Sequence, residues 1–412
     1  MKRLLAVCLA VAVLCGLLLL SAGAEEPVFM AGYAKVDITP TEEGLPLCGY
    51  GNAERFYTGK ESYLFITAIA MTDKYGTTAL MMSVDTYQTS QLWSNEAKSA
   101  IVEALTSEVI HYDRIYISAT TTMSAPEIIY SGTDPVVAAK VDTYKQQVIA
   151  GCVKAAQDAY ADRVPVTMYH NNMDASEGIV HLKTEAGETV QDGDLVTRLN
   201  YNTHYNVVSK TDANETYVAG SGVGPTGYLN NSNYTATEVV QPDDTMGLLV
   251  FRPTDGGKDP IVLANWSAKA NITSAGTNMY GVINNMVLSS DYVGFFRDKM
   301  AASNYRTAFF QGTSGNVYAF PLVGAMRNPD VMGAYTYTEE VEGVPTEKTA
   351  NTITPKLYGE TLATLAIHGV THAEGENHLH AADMDAPINN LKFTMAVEPD
   401  VPTEIQVELV NV

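Results

Sequence analysis

The sequence predicts an α/β fold, mixed β-sheets flanked by helices, and three observations carry that expectation. Short runs rich in β-branched and aliphatic residues, such as 64–71 and 77–84, are bounded by turn chemistry like that of Asp73-Lys74-Tyr75-Gly76. Between such runs lie longer stretches whose apolar residues recur every three or four positions. The chain has 412 residues and 46% hydrophobic content, enough to bury one large core or two smaller ones.

Taken in order, Met1-Lys2-Arg3, the apolar run 4–20 and the small residues Ser21-Ala22-Gly23-Ala24 read as a secretory signal over residues 1–24. A retained membrane anchor is the alternative, the apolar run being near the lower limit for a span. Once the signal is cleaved, no later stretch is apolar and long enough to span a bilayer, and the expected location is extracytoplasmic, in a bacterium by the look of the signal. One α/β domain is expected over 25–390. Within it, 64–71 and 77–84 read as a hairpin. Residues 95–108 read as a helix with Ala97, Ile101 and Leu105 on one face, 115–119 as a strand, and 136–161 as a longer helix.

Residues 170–242 differ, being polar and weakly periodic, with Gly220-Ser221-Gly222-Val223-Gly224-Pro225 at their centre. They read as a long insert or lid over the sheet, or as a flexible insert. Residues 246–252 and 260–266 form a second predicted hairpin across Thr254-Asp255-Gly256-Gly257. A helix capped by Ser290 runs to about 303, a strand covers 306–311, and Pro355 opens a last helix to about 369. The tail, 391–412, alternates like one or two strands.

With 25 basic and 47 acidic residues the formal charge is −22. Losing Lys2 and Arg3 with the signal deepens it. No basic patch offsets this, so nucleic acid and anionic membrane surfaces are excluded as partners. A lipid, a glycan or another protein remains as a possible ligand. Beyond the signal the cysteines are Cys48 and Cys152, which permit one disulfide or two buried thiols.

The stretch most informative about function is 114–126, RIYISATTTMSAP, a strand running out into a small polar turn. With it come Gly32 to Pro40 (GYAKVDITP), Leu47 to Gly51 (LCGYG), Ser83-Val84-Asp85, Ile261 to Asn271 (IVLANWSAKAN), Ser289 to Arg297 (SSDYVGFFR) and Phe310 to Val317 (FQGTSGNV). In this order they resemble the N-terminal, catalytic-type domain of the neutral ceramidase family. The resemblance implies that domain's fold and an N-acylsphingosine amidohydrolase ancestry. Family enzymes hold a catalytic zinc with two histidines, a glutamate and a tyrosine. Here the first histidine position is Thr121, its neighbouring histidine falls on Met123, and the second ligating histidine falls on Lys269; the glutamate and tyrosine lie in a region with no match. A protonated lysine offers no lone pair and repels a dication. The resemblance therefore implies a degenerate zinc site and no zinc cofactor. Lys269 could instead set an ammonium beside Asp85 or Asp291, or be a surface lysine.

Two functions follow as expectations. One is a binding protein, a pseudoenzyme on a sphingolipid-hydrolase scaffold. The other is a hydrolase of altered mechanism acting on an amide or ester, for which Ser124, Lys269 and Tyr318 are the catalytic candidates. Ser124 lacks a glycine elbow, and capping of the following turn is the better reading of it. A fold-only relationship with a structural role is a third. Separately, His368, His372, His378 and His380, with Glu374 and Glu376, suggest a surface site for zinc, copper or nickel, or a solvated histidine-rich loop.

Overall fold

The computed structural model describes residues 28–49, 55–175, 177–180, 195–198, 200–202, 205–209, 216–219, 234–239, 242–275, 286–319, 335–341, 344–350, 355–371, 379–382, 384, 388, 392–394 and 404–406. The signal expected at 1–24 and much of the polar middle lie outside them.

The two expected hairpins frame two halves of one sheet. In the first half β1 (Met30–Asp37) pairs antiparallel with β2 (Phe65–Thr72), β2 antiparallel with β3 (Thr78–Val84), and β3 parallel with β4 (Ile115–Ala119). In the second, β5 (Val164–Asp174) pairs antiparallel with β6 (Thr245–Pro253), β6 antiparallel with β7 (Ile261–Trp266), and β7 parallel with β8 (Arg306–Gln311). A short strand β9 (His380–Ala381) lies beside β5, completing nine strands. The halves join where β1 meets β5, through the register pairs Met30–Pro165 and Ala31–Val164 alone. There the sheet folds over, bringing β8 against β2, β3 and β4.

Strand alternation explains the layering. Ile66, Ala68, Leu80, Met82 and Val84 point outward to helices α1 (Gln91–Leu105) and α2 (Pro135–Ala161), which offer Trp93, Ile101, Val141, Val148 and Cys152. Leu248, Val250, Val262, Ala264 and Trp266 point to α3 (Tyr292–Ala302) and α4 (Pro355–Thr371), which offer Phe296, Met300, Leu362 and Ala366. Ile69, Val166, Phe251, Ile261, Ala308 and Phe310 fill the space between the halves. Four layers result: helices, sheet, sheet, helices. The expected α/β class is what the chain adopts.

Local chemistry sets the helix starts. Asp134 accepts from the Val136 and Val137 amides at 2.8 and 3.4 Å, with Pro135 in the first helical position. The cap of α3 is Asp291, not Ser290 as the sequence suggested, because the Ser290 hydroxyl lies 3.0 Å from that of Ser62 and Asp291 accepts from the Tyr292 amide at 2.8 Å. Residues 170–174 of the polar middle are the end of β5 and belong to the sheet. The tail's two strands, Lys392–Thr394 and Glu404–Gln406, pair antiparallel. Cys48 and Cys152 are separate buried thiols, each pushed up to about 12 by burial, and no disulfide links them. Among the described residues no helix is long and apolar enough to cross a membrane.

Candidate functional site

The carboxyl ends of both parallel pairs, β3/β4 and β7/β8, come out at one edge of the molecule. This is where open α/β sheets characteristically place ligands. The Thr120 amide donates to Val84 O at 2.9 Å, and the Met123 amide to Ala270 O at 3.1 Å, so the turn after β4 is tied to the turn after β7. Buried Arg55 donates to the carbonyls of Cys48 and, at 3.3 Å, Met123, fixing the same turn from its other side.

Thr121 sits in the left-handed region, φ 61, which is strained for a β-branched residue. Its hydroxyl donates to Gln311 Oε1 at 3.4 Å. Gln311 in turn donates to Trp266 O at 3.1 Å and Ala268 O at 2.8 Å, and the buried Tyr292 hydroxyl donates to Ala268 O at 2.6 Å. Met123 is buried, its side chain against Gly49, whose φ of 89 needs glycine. Lys269 lies beside Tyr318 in a short parallel bridge. Its ammonium donates to Gly315 O at 3.3 Å and to the Tyr318 hydroxyl at 3.5 Å, and stands 4.9 Å from the centre of that ring. Burial raises the Tyr318 phenol above its usual range.

Ser124 lies behind this mouth. Its carbonyl accepts from the Ser289 amide at 3.0 Å, and its amide donates to Thr122 Oγ1 at 3.2 Å. Its hydroxyl is fully buried and has no hydrogen-bond partner among the described residues. Around it runs a hydroxyl network that sequence reasoning missed. Glu61 accepts from Thr273 Oγ1 at 2.6 Å and Ser289 Oγ at 2.7 Å, and Asp291 accepts from the Thr273 amide at 2.8 Å. Asp291 is strained, φ 56 and ψ −153. Burial pushes its carboxyl up to about 7 against the lowering effect of its two amide donors, with the Glu61 charge adding to the rise.

Neither carboxylate considered as a partner for Lys269 is one. Asp85 takes a bidentate contact from Arg297, one bond at 3.1 Å, with both side chains buried, and accepts from the Phe65 amide at 2.8 Å. Asp291 is occupied by backbone amides. The only hint of the Asp85 pair in the sequence is an acid at the end of a strand and an arginine one helical turn and a half into α3.

The side chains at the positions matched by resemblance to zinc-site histidines do not suit that metal. Zinc takes nitrogen, thiolate or carboxylate donors. Here stand a hydroxyl donated to an amide, a thioether buried against a turn, and an ammonium. Among the described residues no three His, Cys, Asp or Glu side chains gather anywhere. The histidine run is divided as well. His368 is on α4, which packs on one face of β5 through Asn171 and Gly369, whereas His380 stacks on His170, which alternation sends to the other face. His372 and His378 lie outside the described residues.

No family model matches the chain, and no curated protein matches it. Among solved structures it is similar to a crystal structure of neutral ceramidase from Pseudomonas aeruginosa, at 14% identity and TM-score 0.49, covering 73% of this chain and 41% of that one. It is also similar to a ceramidase complexed with C2, at 14% identity and TM-score 0.48, covering 71% and 39%. The chain thus spans about two fifths of the length of these structures.

Proposed function

We propose that the chain is an exported binding protein on a ceramidase-like scaffold, taking a lipid, glycan or protein ligand at the mouth formed by the four strand ends, without zinc-dependent hydrolysis. The observation that carries this reading is the engagement of the Lys269 ammonium with Gly315 O and the Tyr318 hydroxyl at the position the family resemblance gives to a ligating histidine. An ammonium there repels the metal that would activate water. The strained backbone of Thr121 supports a ligand role for the mouth, since such strain persists where function or surrounding structure demands it. The acidic surface favours neutral or cationic ligands.

Binding would be tested by thermal shift and calorimetry against a panel of ceramides, neutral glycans and peptides. A ligand whose affinity falls at least tenfold in Lys269→Met and Tyr318→Phe supports the reading. A ligand indifferent to both substitutions places binding elsewhere.

A second reading, hydrolysis of an amide or ester by Lys269 and Tyr318, is supported by the proximity of these two groups. Ser124 is a poor nucleophile on this geometry, because its buried hydroxyl has no base within hydrogen-bond reach among the described residues. Turnover of N-acyl or ester substrates that disappears in Lys269→Ala would favour hydrolysis. The binding account predicts no turnover across a broad acyl panel.

A further inference from the structure

We propose that a cavity beside the start of α1 binds a free α-amino acid, its carboxylate at the first amides of the helix and its ammonium at Glu127, separate from the strand-end mouth. The cavity has a volume of about 230 Å³ and lies between the segment after β3, the Cys48-Gly49 turn and the segment 127–131. Thr121, Lys269 and Tyr318 do not line it. Drug-sized ligands occupy pockets of roughly 300–1,000 Å³, so this volume suits a smaller molecule. Its walls are held in place without a ligand. The Cys48 amide donates to Ala125 O and the Glu127 amide to Pro46 O, each at 2.8 Å, and the Trp93 indole donates to Gln88 O at 3.4 Å.

Two parts of the lining call for opposite partners. Ser90, extended at φ −104 and ψ 152, precedes α1, and no side chain accepts from the first amides of that helix. The amides of Gln91, Leu92 and Trp93 have no acceptor within the helix, whose ladder starts where the Ser94 amide donates to Ser90 O at 3.1 Å. The Ser90 hydroxyl is buried and has no hydrogen-bond partner among the described residues. A carboxylate is the group that unfilled donors and the positive end of a helix accommodate. Glu127, by contrast, is an acceptor only 8% exposed. Ser131 donates to it through its amide at 2.9 Å and its hydroxyl at 2.7 Å. No cation pairs with it among the described residues. Its charge reaches the cavity lining, since after burial it is the largest influence raising the Cys48 thiol to about 12. A carboxylate at this depth calls for a cationic donor. A simple anion or a simple cation would satisfy one part and oppose the other, whereas a small zwitterion satisfies both. Trp93, Ile128 and the exposed Ile129 complete the lining with apolar surface, which suits a hydrophobic side chain.

The test is calorimetric titration of the full chain at neutral pH with the common L-amino acids, leucine and phenylalanine among them. The tightest binder is then compared with its methyl ester, which lacks the carboxylate charge, and with the carboxylic acid that lacks its amino group. Each analogue should bind about tenfold more weakly or worse, as loss of a charged hydrogen bond implies. Glu127→Gln should weaken the amino acid by a similar factor. Ser90→Asp sets a carboxylate of the chain's own at the start of α1, a favourable cap, and should abolish binding. Circular dichroism checks both variants. Ser90→Asp keeps the test decisive if loss of the bonds from Ser131 unfolds Glu127→Gln. The proposal is overturned if no amino acid binds the parent, if the ester and the deaminated acid bind as tightly as the amino acid, or if binding survives Ser90→Asp.

Discussion

Asp85 and Arg297 are each almost fully buried and joined by two hydrogen bonds, and they fasten the end of β3 to helix α3 across the join between the layers. Removing one charge leaves the other desolvated, so Asp85→Asn should cost on the order of 3–5 kcal/mol in urea unfolding. A loss under 1 kcal/mol would mean that water reaches the guanidinium. Asp291 poses the opposite problem, a carboxyl that resists ionising. Burial pushes it up to about 7 from the ordinary 3.8 of an aspartate, so between these the folded state binds the extra proton. Stability should therefore fall as pH rises through that window and level off above it. Asp291→Asn retains an acceptor for the Tyr292 amide and removes the ionisation; unfolding titrations at about pH 4.5 and 7.5 should show a smaller difference in the variant. An equal difference in the two proteins would assign the slope to other groups, Glu61 first among those facing Asp291. None of this was legible locally. The sequence marks Asp85 and Asp291 as acids at strand and helix ends, but which base or hydroxyl meets each is decided by residues about 20 to 230 positions away.

At the scale of elements, helices and hairpins followed from short-range chemistry. Asp134-Pro135 begins α2, Pro355 begins α4, and Asp73 accepts from the Tyr75 and Thr77 amides to close the first hairpin. Where the reading slipped, a distant partner intervened. Ser290 looked like the cap of α3 until Ser62 claimed its hydroxyl, and His170 looked like the start of a polar excursion although β6 and β9 hold it in the sheet. Helix contacts are similarly specific. A Cβ on Gly359 of α4 would lie 2.3 Å from Tyr292 O and 2.9 Å from the Phe296 amide nitrogen of α3. Gly359→Ala should thus separate α3 from α4 and destabilise by about 1–3 kcal/mol. Unchanged stability would show that the helices can slide apart without loss.

Across the whole molecule, the turns after β4, β7 and β8, each carrying one of the motifs read in order from Gly32 to Val317, are joined by the hydrogen bonds from Met123 to Ala270 and from Thr121 to Gln311. Arg55, Glu61 and Gln311 escaped notice because their importance arises only when the sheet folds over at the β1–β5 join. The account stands on an ammonium and two side chains unsuited to zinc at the centre of that edge, and zinc content measured by mass spectrometry on protein purified without chelators tests this most directly. The predicted result is far less than one zinc per chain after dialysis. One zinc per chain, retained through dialysis, would contradict it.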